Sequence, residues 1–307
     1  YHIEPADSIS AVLEQFYASR SLYTRMRQKS VDLRKIVSTH LERSSKKLDL
    51  QLKQLKDTEK RDKFKVYGEL LNTYGYQVTE GAKSVEVPNY YTGEMLTIPL
   101  DETLSPLDNA KKYFARYNKL KRTFEALNTQ TEETRTEIAH LQTIQAALAI
   151  AESEDDLAQI RDELETYGYI RRKMNGKKKQ KFKSKPFHYR SSDGFDIYVG
   201  KNNFQNDELT FKVANGNDWW FHAKGMPGSH VIVKTEGREL PDRTFEEAGR
   251  LAGYYSSGRD NEKIEIDYLQ RKNVKKPNGA VAGYVIYYTN YSLTIHPDIS
   301  GIEKISE

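Results

Sequence analysis

A series of residues spaced alternately four and three apart runs through the middle of the chain. Eight of its eleven members are apolar, and the series is Tyr113, Tyr117, Leu120, Phe124, Leu127, Thr131, Thr134, Ile138, Leu141, Gln145 and Leu148. Such spacing is typical of a helix that packs along a coiled-coil seam. The residues before it mark a helix start, because Ser105 can cap, Pro106 suits the first helical position and Asp108 lies in the first turn.

A second long helix precedes this one. No proline lies between Pro5 and Pro88, and the first interior glycine is Gly68, so residues from about Asp7 to Tyr74 predict one helix. Its expected seam consists of Leu41, Leu48, Leu55 and, at the alternate position, Leu52. Two such arms predict an antiparallel helical hairpin, and a paired length of about 45 residues spans roughly 70 Å.

The segment between the arms has a different pattern. Ser84–Val87 and Met95–Ile98 alternate like strands, which predicts a small β-rich domain at the tip of the hairpin. Beyond the second arm, Ser153 is followed by three acids, which indicates a new helix start with acids at its positive end. Gly168 is the expected end of that helix.

The last segment, Phe187 to Ile302, predicts a compact domain with a mostly antiparallel sheet. A helix is expected at Asn203–Ala214, and Thr244–Glu247 matches a capping box that opens a second helix. The expected strands are Phe195–Val199, Trp219–Ala223, His230–Lys234, Lys263–Asp267, Val281–Tyr288 and Ser292–Ile295. The chain as a whole is therefore predicted to be α+β.

These patterns divide the chain into five parts. We expect a first coiled-coil arm, a tip domain, a second arm with a short helix, a basic linker and an RNA-binding α+β domain, at residues 1–74, 75–104, 105–168, 169–186 and 187–307 respectively.

Charge is unevenly distributed along the chain. The net charge is +4, but residues 20–65 hold fifteen Lys and Arg against six Asp and Glu, whereas residues 101–165 hold eight against fourteen. Residues 171–185 contain nine cations and no acid. Such sorting favours a polyanionic partner, although the two arms could also pair their opposite charges with each other.

Composition excludes several classes. There is no cysteine, which excludes disulfides and zinc-thiolate sites. No stretch approaches the roughly 20 apolar residues of a membrane span. No signal peptide is visible, but the chain opens at Tyr1 rather than Met. We find no convincing catalytic constellation, so we expect a binding protein, not an enzyme, without cofactor or metal.

The segment Asp218–His230 is the densest candidate site. If it forms a hairpin, His222 and His230 oppose each other on the face that holds Trp220. These rings, with Lys224 at the turn, could stack on RNA bases and contact phosphate. A metal site is the weaker alternative, since two histidines lack an obvious third ligand. The tryptophans are expected in the core.

Further candidate RNA-binding residues are cations and amides. Lys201, Asn202 and Asn203 stand at a helix N-terminus, where either an anion or ordinary capping is expected. Four cations lie beside a turn and suit phosphate: Arg271, Lys272, Lys275 and Lys276. The basic tract contributes Arg171, Arg172, Lys177, Lys178 and Lys179, with a solvated linker as the alternative.

Several of these motifs together resemble one family. They are Asp193–Asn203, Gln205–Leu209, Asp218–Ile232, Glu247–Ser256 and Val274–Gly279, with Ser105–Phe114 and Tyr117–Lys121 upstream. The chain resembles the NFACT family in its bacterial branch, whose members are also called fibronectin-binding proteins. The first group resembles the C-terminal NFACT-R domain and the second the middle coiled-coil region.

The resemblance implies a role in ribosome-associated quality control. It implies binding to a large ribosomal subunit that still holds peptidyl-tRNA, through rRNA, tRNA and possible ribosomal protein contacts, in the cytoplasm. It also implies that the full-length protein recruits alanyl-tRNA for untemplated alanine tailing. Full-length members carry a further N-terminal domain that this sequence lacks, so we expect a C-terminal half that binds but does not direct tailing.

Two alternatives remain open. A surface adhesin for fibronectin would match the family's older name and would place the protein at the cell surface, but the sequence shows no export signal or anchor. A metal-dependent enzyme would use His222 and His230.

Overall fold

The computed structural model describes residues 8–171 and 184–305, with the backbone alone for residues 11–23 and 25. Two long helices, α1 (Ile9–Thr58) and α3 (Pro106–Ile150), dominate the first half of the chain. The described residues form two units: Arg43–Glu137 is one, and the residues up to Glu42 together with those from Ile138 onward are the other. Both helices and an antiparallel sheet are present, so the predicted α+β class is confirmed.

The first predicted helix is interrupted. It ends at Thr58, and α2 (Arg61–Tyr74) begins after a two-residue turn, so the prediction of one helix to Tyr74 is wrong at this point. The Thr58 hydroxyl donates to the carbonyl of Leu55 at 2.6 Å, and the Glu59 amide donates to the carbonyl of Lys56 at 3.2 Å. The last turn therefore tightens and the helical ladder stops.

The seam of α1 is more polar than predicted. Leu41, Leu48 and Leu55 are half-buried, but Leu52 is 37% exposed, so its predicted place in the seam is wrong. The alternate positions lie three residues after each of those leucines, and they hold the buried side chains Ser44, Gln51 and Thr58. Steps of three and of four residues both stay on one face of a helix, so the spacing alone does not choose between Gln51 and Leu52. The burial shows that this seam uses the step of three residues.

The seam of α3 is confirmed over most of its length. Every predicted member from Tyr113 to Leu141 is at least half-buried, and the Asp108 amide donates to Ser105 Oγ at 3.1 Å, as the predicted cap requires. The prediction is wrong at Gln145, which is exposed. Ile144 is fully buried instead, so the seam steps three residues and then four between Leu141 and Leu148.

The smaller unit holds a two-stranded hairpin. β1 (Ser84–Pro88) pairs antiparallel with β2 (Met95–Pro99), which confirms both predicted strands. One face of the hairpin packs against α2 and the start of α3, and the fully or nearly buried residues of this core are Tyr67, Leu70, Leu71, Val87, Ile98 and Ala110. The alternation of the strands supplies one apolar face, which is what such packing needs.

The larger unit begins with a three-helix cluster. Helix α4 (Glu154–Thr166) starts with a capping box between Ser153 and Asp156 and is followed by Gly168 at φ +80°, which confirms the predicted start and end. It packs against parts of α1 and α3 through a buried apolar cluster of Leu33, Val37, Leu141, Ile144, Leu148, Leu157, Ile160 and Leu164.

A seven-stranded antiparallel sheet forms the rest of this unit. Its spatial order is β8-β7-β5-β6-β4-β3-β9. The strands are β3 (Phe187–Arg190), β4 (Asp196–Val199), β5 (Trp219–Ala223), β6 (Val231–Val233), β7 (Ile264–Gln270), β8 (Tyr291–Ile295) and β9 (Glu303–Lys304). The predicted strand at Val281–Tyr288 is wrong, since its one described pairing is an isolated bridge from Ile286 to Lys275.

Each face of the sheet has its own core. Helix α6 (Asp242–Tyr254) covers one face, over Phe221 among others, whereas Trp220 lies in the cluster on the opposite face. Alternation along β5 thus separates neighbouring aromatic residues, as predicted. Helix α5 (Asn203–Glu208) continues as a π-helical turn over Leu209–Val213, so the predicted helix is confirmed to within one residue of Ala214, and its second half is π-helical.

The capping box predicted at Thr244–Glu247 is also wrong. Helix α6 starts at Asp242 after Pro241, without a side-chain cap. The hydroxyl of Thr244 donates to Asp193 Oδ2 at 2.8 Å, and Glu247 accepts from the Ser192 amide at 2.9 Å. Both side chains therefore fix the β3–β4 turn on the helix.

The observed register of α3 makes a direct prediction. Ile144→Ala removes buried apolar atoms and should lower the free energy of unfolding by about 2–5 kcal/mol. Gln145→Ala, the matched control, should change it by less than about 0.5 kcal/mol. Urea unfolding followed by circular dichroism measures both, and equal losses would contradict the described register.

Candidate nucleic-acid interface

The N-terminus of α5 is closed by residues of the chain itself. The Asn202 side chain caps the helix by accepting from the Gln205 amide at 3.0 Å, and it donates to Gln159 at 2.6 Å. Asn203 Nδ2 donates to Thr143 Oγ1 at 2.8 Å and to Glu163 Oε1 at 2.7 Å. Both asparagines are buried. Their predicted contact with RNA is therefore wrong for this conformation, and the capping alternative holds.

The anion expected at this site is a carboxylate of the protein. Lys201 Nζ lies 3.3 Å from Asp156 Oδ1 and 4.5 Å from the centre of the Phe187 ring. Burial alone raises the pKa of Asp156, but hydrogen bonds from Ser184 and the Glu152 amide, together with Lys201, outweigh it and hold the pKa below its ordinary value. Lys201 is thus already paired.

The two histidines oppose each other as predicted. The β5–β6 register brings His222 opposite His230, with ring centres 5.6 Å apart. His230 is only 2% exposed, and its Nδ1 lies 2.8 Å from Thr210 Oγ1. Its ring packs edge-on against Trp220. The prediction that His230 presents a ring to RNA is wrong, because the sheet and the segment after α5 cover it.

The two histidine rings are surrounded by side chains of the domain itself. Partly exposed His222 stacks on Trp220 at 5.5 Å. Burial lowers the pKa of His222 and holds the pKa of His230 well below its usual range. Across residues 8–171 and 184–305, no group of three or more His, Cys, Asp or Glu side chains is arranged to hold a metal ion.

Lys224 is exposed at the β5–β6 turn, where its ammonium lies 2.6 Å from Glu265 Oε1. That hydrogen bond raises the pKa of Lys224. Its charge is partly neutralised within the protein, so any phosphate contact at this residue competes with Glu265. The predicted role of Lys224 stays a prediction.

The segment after β7 contains both paired and unpaired cations. Arg271 Nε donates to the carbonyl of Thr210 at 2.7 Å, and Lys276 forms an ion pair with Asp207. Lys272 and Lys275 are exposed and form no ion pair with any described residue. These two lysines are therefore available to an external phosphate.

Two tyrosines that sequence reasoning did not single out accompany these lysines. Ile286 pairs with Lys275 through two backbone hydrogen bonds of 2.8 and 2.9 Å. Tyr284 and Tyr288 flank Ile286 two positions to either side, so both lie near Lys275 along this segment. Tyr284 is 46% exposed and Tyr288 is 82% exposed, whereas Val285 and Tyr287 pack inward.

We call Lys272, Lys275, Tyr284 and Tyr288 the lysine–tyrosine surface. It combines unpaired cations with exposed rings, which is the combination that single-stranded nucleic acid binding uses. Three tyrosines within five residues, Tyr284, Tyr287 and Tyr288, shortly after a basic turn were the signal that could have identified it.

The basic tract lies mostly beyond the described residues. Arg171 is exposed, and the predicted contacts of Arg172, Lys177, Lys178 and Lys179 concern residues outside the described ranges. Over those ranges, no helix has the length and apolar character that crossing a membrane requires.

Comparison with known proteins is consistent with this interface. Residues 185–287, which include β3 to β7 and all of the lysine–tyrosine surface except Tyr288, match the NFACT protein RNA binding domain. Residues 1–183 match the NFACT N-terminal and middle domains. The chain therefore belongs to the NFACT family, as the sequence motifs indicated.

Curated relatives cover nearly the whole chain. A Streptococcus suis protein named Rqc2 homolog RqcH is 39% identical over 300 residues, which are 97% of this chain and 54% of that protein. The Bacillus subtilis protein of the same name is 35% identical over 305 residues, 98% of this chain and 53% of that protein. The chain thus spans about half the length of the curated relatives it matches.

A solved structure has the same fold. It is the C-terminal part of the fibronectin/fibrinogen-binding protein from Streptococcus suis, with a TM-score of 0.71 and 33% sequence identity. The match covers 92% of this chain and all of that one.

The opposed histidines His222 and His230 predict a pH dependence. The unfolded chain binds protons at both histidines below a pH of about 6.5, whereas their depressed pKa values keep them neutral in the folded chain. The stabilising contribution of the two neutral histidines is therefore fully present above that pH. The free energy of unfolding falls as the pH decreases towards the folded-state pKa values, by up to about 1.4 kcal/mol per pH unit for each histidine.

Between pH 7 and pH 5, the free energy of unfolding should decrease less steeply in His230→Gln than in the unchanged chain. The difference in slope should correspond to at most one proton taken up on unfolding. His296→Gln, at an exposed histidine, is the control and should leave the slope unchanged. Urea unfolding at a series of pH values measures this. An unchanged slope in His230→Gln would mean that the ring is protonated in the folded protein.

Proposed function

We propose that this chain is the C-terminal part of a ribosome quality control factor. In this proposal it binds the large ribosomal subunit that still carries peptidyl-tRNA, and it does so by contact rather than catalysis. The full-length protein would recruit alanyl-tRNA for C-terminal alanine tailing of the nascent chain. Family membership supports the proposal, and so do the names of the curated relatives.

The observation that carries the proposal is the lysine–tyrosine surface. Phosphates attract unpaired lysines, and exposed rings can stack on bases that are not in a duplex. Paired cations such as Lys201 and Lys276 stabilise the domain instead. The proposed partners are therefore rRNA and tRNA, with neighbouring ribosomal proteins, and the proposed location is the cytoplasm, where these particles are found.

Fibronectin binding at the cell surface is the second candidate. The similar Streptococcus suis structure favours it, because that structure belongs to a fibronectin/fibrinogen-binding protein. The charge pattern does not, because a protein ligand has no regular polyanionic backbone for the unpaired lysines. The two candidates separate in a binding assay that offers both partners.

Charge reversal on the lysine–tyrosine surface should weaken ribosome binding. Lys275→Glu and Lys272→Glu should each reduce co-sedimentation with 50S subunits, because each removes a phosphate contact. The slope of log affinity against log salt should fall by about 0.7–0.9 for each lysine.

Lys263→Glu is the matched control. Lys263 is an exposed lysine that precedes β7, whereas the lysine–tyrosine surface follows its other end. Lys263→Glu should leave both the affinity for 50S subunits and the salt dependence of that affinity unchanged. Equal effects of all three variants, or tight fibronectin binding beside indifference to 50S subunits, would contradict the proposal.

A further inference from the structure

A cavity of about 480 Å³ opens on the α6 side of the sheet, on the face opposite Trp220. Its aromatic walls are Trp219, at the start of β5, and Phe245, in the first turns of α6. The two rings meet edge to face, with centres 4.8 Å apart. Its volume falls within the range of about 300–1,000 Å³ that is typical of small-molecule sites.

The aromatic walls of this cavity are partly open to solvent. Trp219 and Phe245 are both half-buried, although Trp219 was expected in the core. Tyr268 and Tyr291 continue the aromatic group, with Tyr291 64% exposed and the two rings stacked at 5.5 Å. An open group of rings beside a cavity offers flat faces on which another ring can stack.

Two side-chain amides at the rim of the cavity have no internal partner among the described residues. The side-chain amides of Asn217 and Gln270 line it, and neither forms a hydrogen bond with any residue in the described ranges. Each amide offers two donors and an acceptor. The Glu239 carboxylate also lines the cavity. These groups match the edge of a nucleobase, which presents donors and acceptors side by side.

One wall is a tight turn with an unusual backbone. Glu236 and Gly237 have consecutive positive φ values of 50° and 80°, and the Arg238 amide closes the turn on the Thr235 carbonyl at 2.9 Å. A glutamate in this left-handed region is uncommon. The Arg238 guanidinium lies 4.0 Å from the centre of the Phe195 ring, which fixes that side of the cavity.

An unpaired cation lies close to the rim. The Lys272 amide donates to the Gly216 carbonyl at 3.0 Å, so Lys272 adjoins the turn that carries Asn217. Its ammonium is free of any ion pair with the described residues. A phosphate held by Lys272 would lie near this turn, and the exposed Glu239 carboxylate disfavours phosphate in the interior of the cavity.

From these features we infer that the Trp219–Phe245 cavity is a binding site for one unpaired, amino-bearing nucleobase of RNA, stacked on Trp219. The inference rests on the proposed RNA-binding function and assigns it a second contact, on the other face of the sheet, which shares only Lys272 with the lysine–tyrosine surface. Adenine, guanine and cytosine carry an exocyclic amine that can donate to Glu239, whereas uracil does not. Adenine-rich single strands should therefore bind better than uridine-rich ones.

Intrinsic fluorescence tests this directly, because the chain has two tryptophans and Trp220 is fully buried. Titration with hexaadenylate should quench the emission of Trp219. A hexanucleotide of the same backbone without bases should bind more weakly and quench little. Base stacking on an aromatic side chain typically changes affinity by roughly 5- to 100-fold, so Trp219→Leu and Phe245→Leu should weaken hexaadenylate binding by that factor in fluorescence anisotropy.

Two further variants test whether an effect on RNA binding comes from the cavity itself or from altered stability or overall charge. Glu239→Gln, at an exposed side chain, should narrow the preference for hexaadenylate over hexauridylate without changing the melting temperature. Tyr288→Leu, on the lysine–tyrosine surface, should leave the quenching of Trp219 intact.

Three binding results would overturn the inference even if the emission of Trp219 is quenched. They are equal quenching by the abasic strand, equal affinity for the two hexanucleotides, or quenching by a proline-rich peptide but not by RNA. If Trp219 is not quenched while 50S subunits still bind, the cavity assignment fails alone. If neither RNA nor 50S subunits bind, the proposed function fails with it.

Discussion

The sheet domain is held on the helices of its own unit by a buried polar contact. Glu163 of α4 is fully buried, and its Oε1 lies 3.0 Å from His140 Nε2 and 2.7 Å from Asn203 Nδ2. A buried carboxylate without partners is strongly destabilising, so this contact requires α3, α4 and α5 to meet in one arrangement. The same requirement removes Asn203 from any role at the surface. The position of the candidate RNA-binding residues follows from what this contact leaves exposed.

Local patterns in the sequence predicted the elements that depend on local physics. The cap at Ser105, the capping box at Ser153 and the hairpin of β1 and β2 each follow from residues a few positions apart. The helix break after Thr58 was not predicted, and neither was the burial of Ile144 in place of Gln145. Heptad counting assigns positions without knowing the packing partner. The edge strand β9 was missed because only two of its residues are paired.

The sequence identified the types of residue at the candidate site, but not which of their side chains are free to bind a partner. Lys201, Lys276 and Asn203 look like ligands of an anion in the sequence, yet their partners Asp156, Asp207 and Glu163 lie 45, 69 and 40 positions away. Such pairings depend on the tertiary fold, so no local pattern reveals them. Lys272 and Lys275 differ only in lacking such a partner among the described residues. The family resemblance gave the class of partner, and the structure separates cations with a structural role from those that are free.

The two proposed contacts use different physics on opposite faces of one sheet. The lysine–tyrosine surface adjoins the core that contains Trp220, and the Trp219–Phe245 cavity adjoins α6. Lys272 lies near both, since it follows β7 and its backbone pairs with the turn before β5. Phosphate attraction provides affinity without sequence preference, whereas a base in a cavity provides selection. Together they suit an RNA strand that is not fully paired.

Photo-crosslinking in the ribosomal complex tests the central claim most directly. With p-benzoyl-phenylalanine in place of Tyr288, irradiation of the full chain bound to 50S subunits should yield a crosslink to rRNA or tRNA. The same group in place of Lys263, the exposed residue before β7, should yield far less. A crosslink at position 288 to protein alone, or equal RNA crosslinking at both positions, would contradict the account.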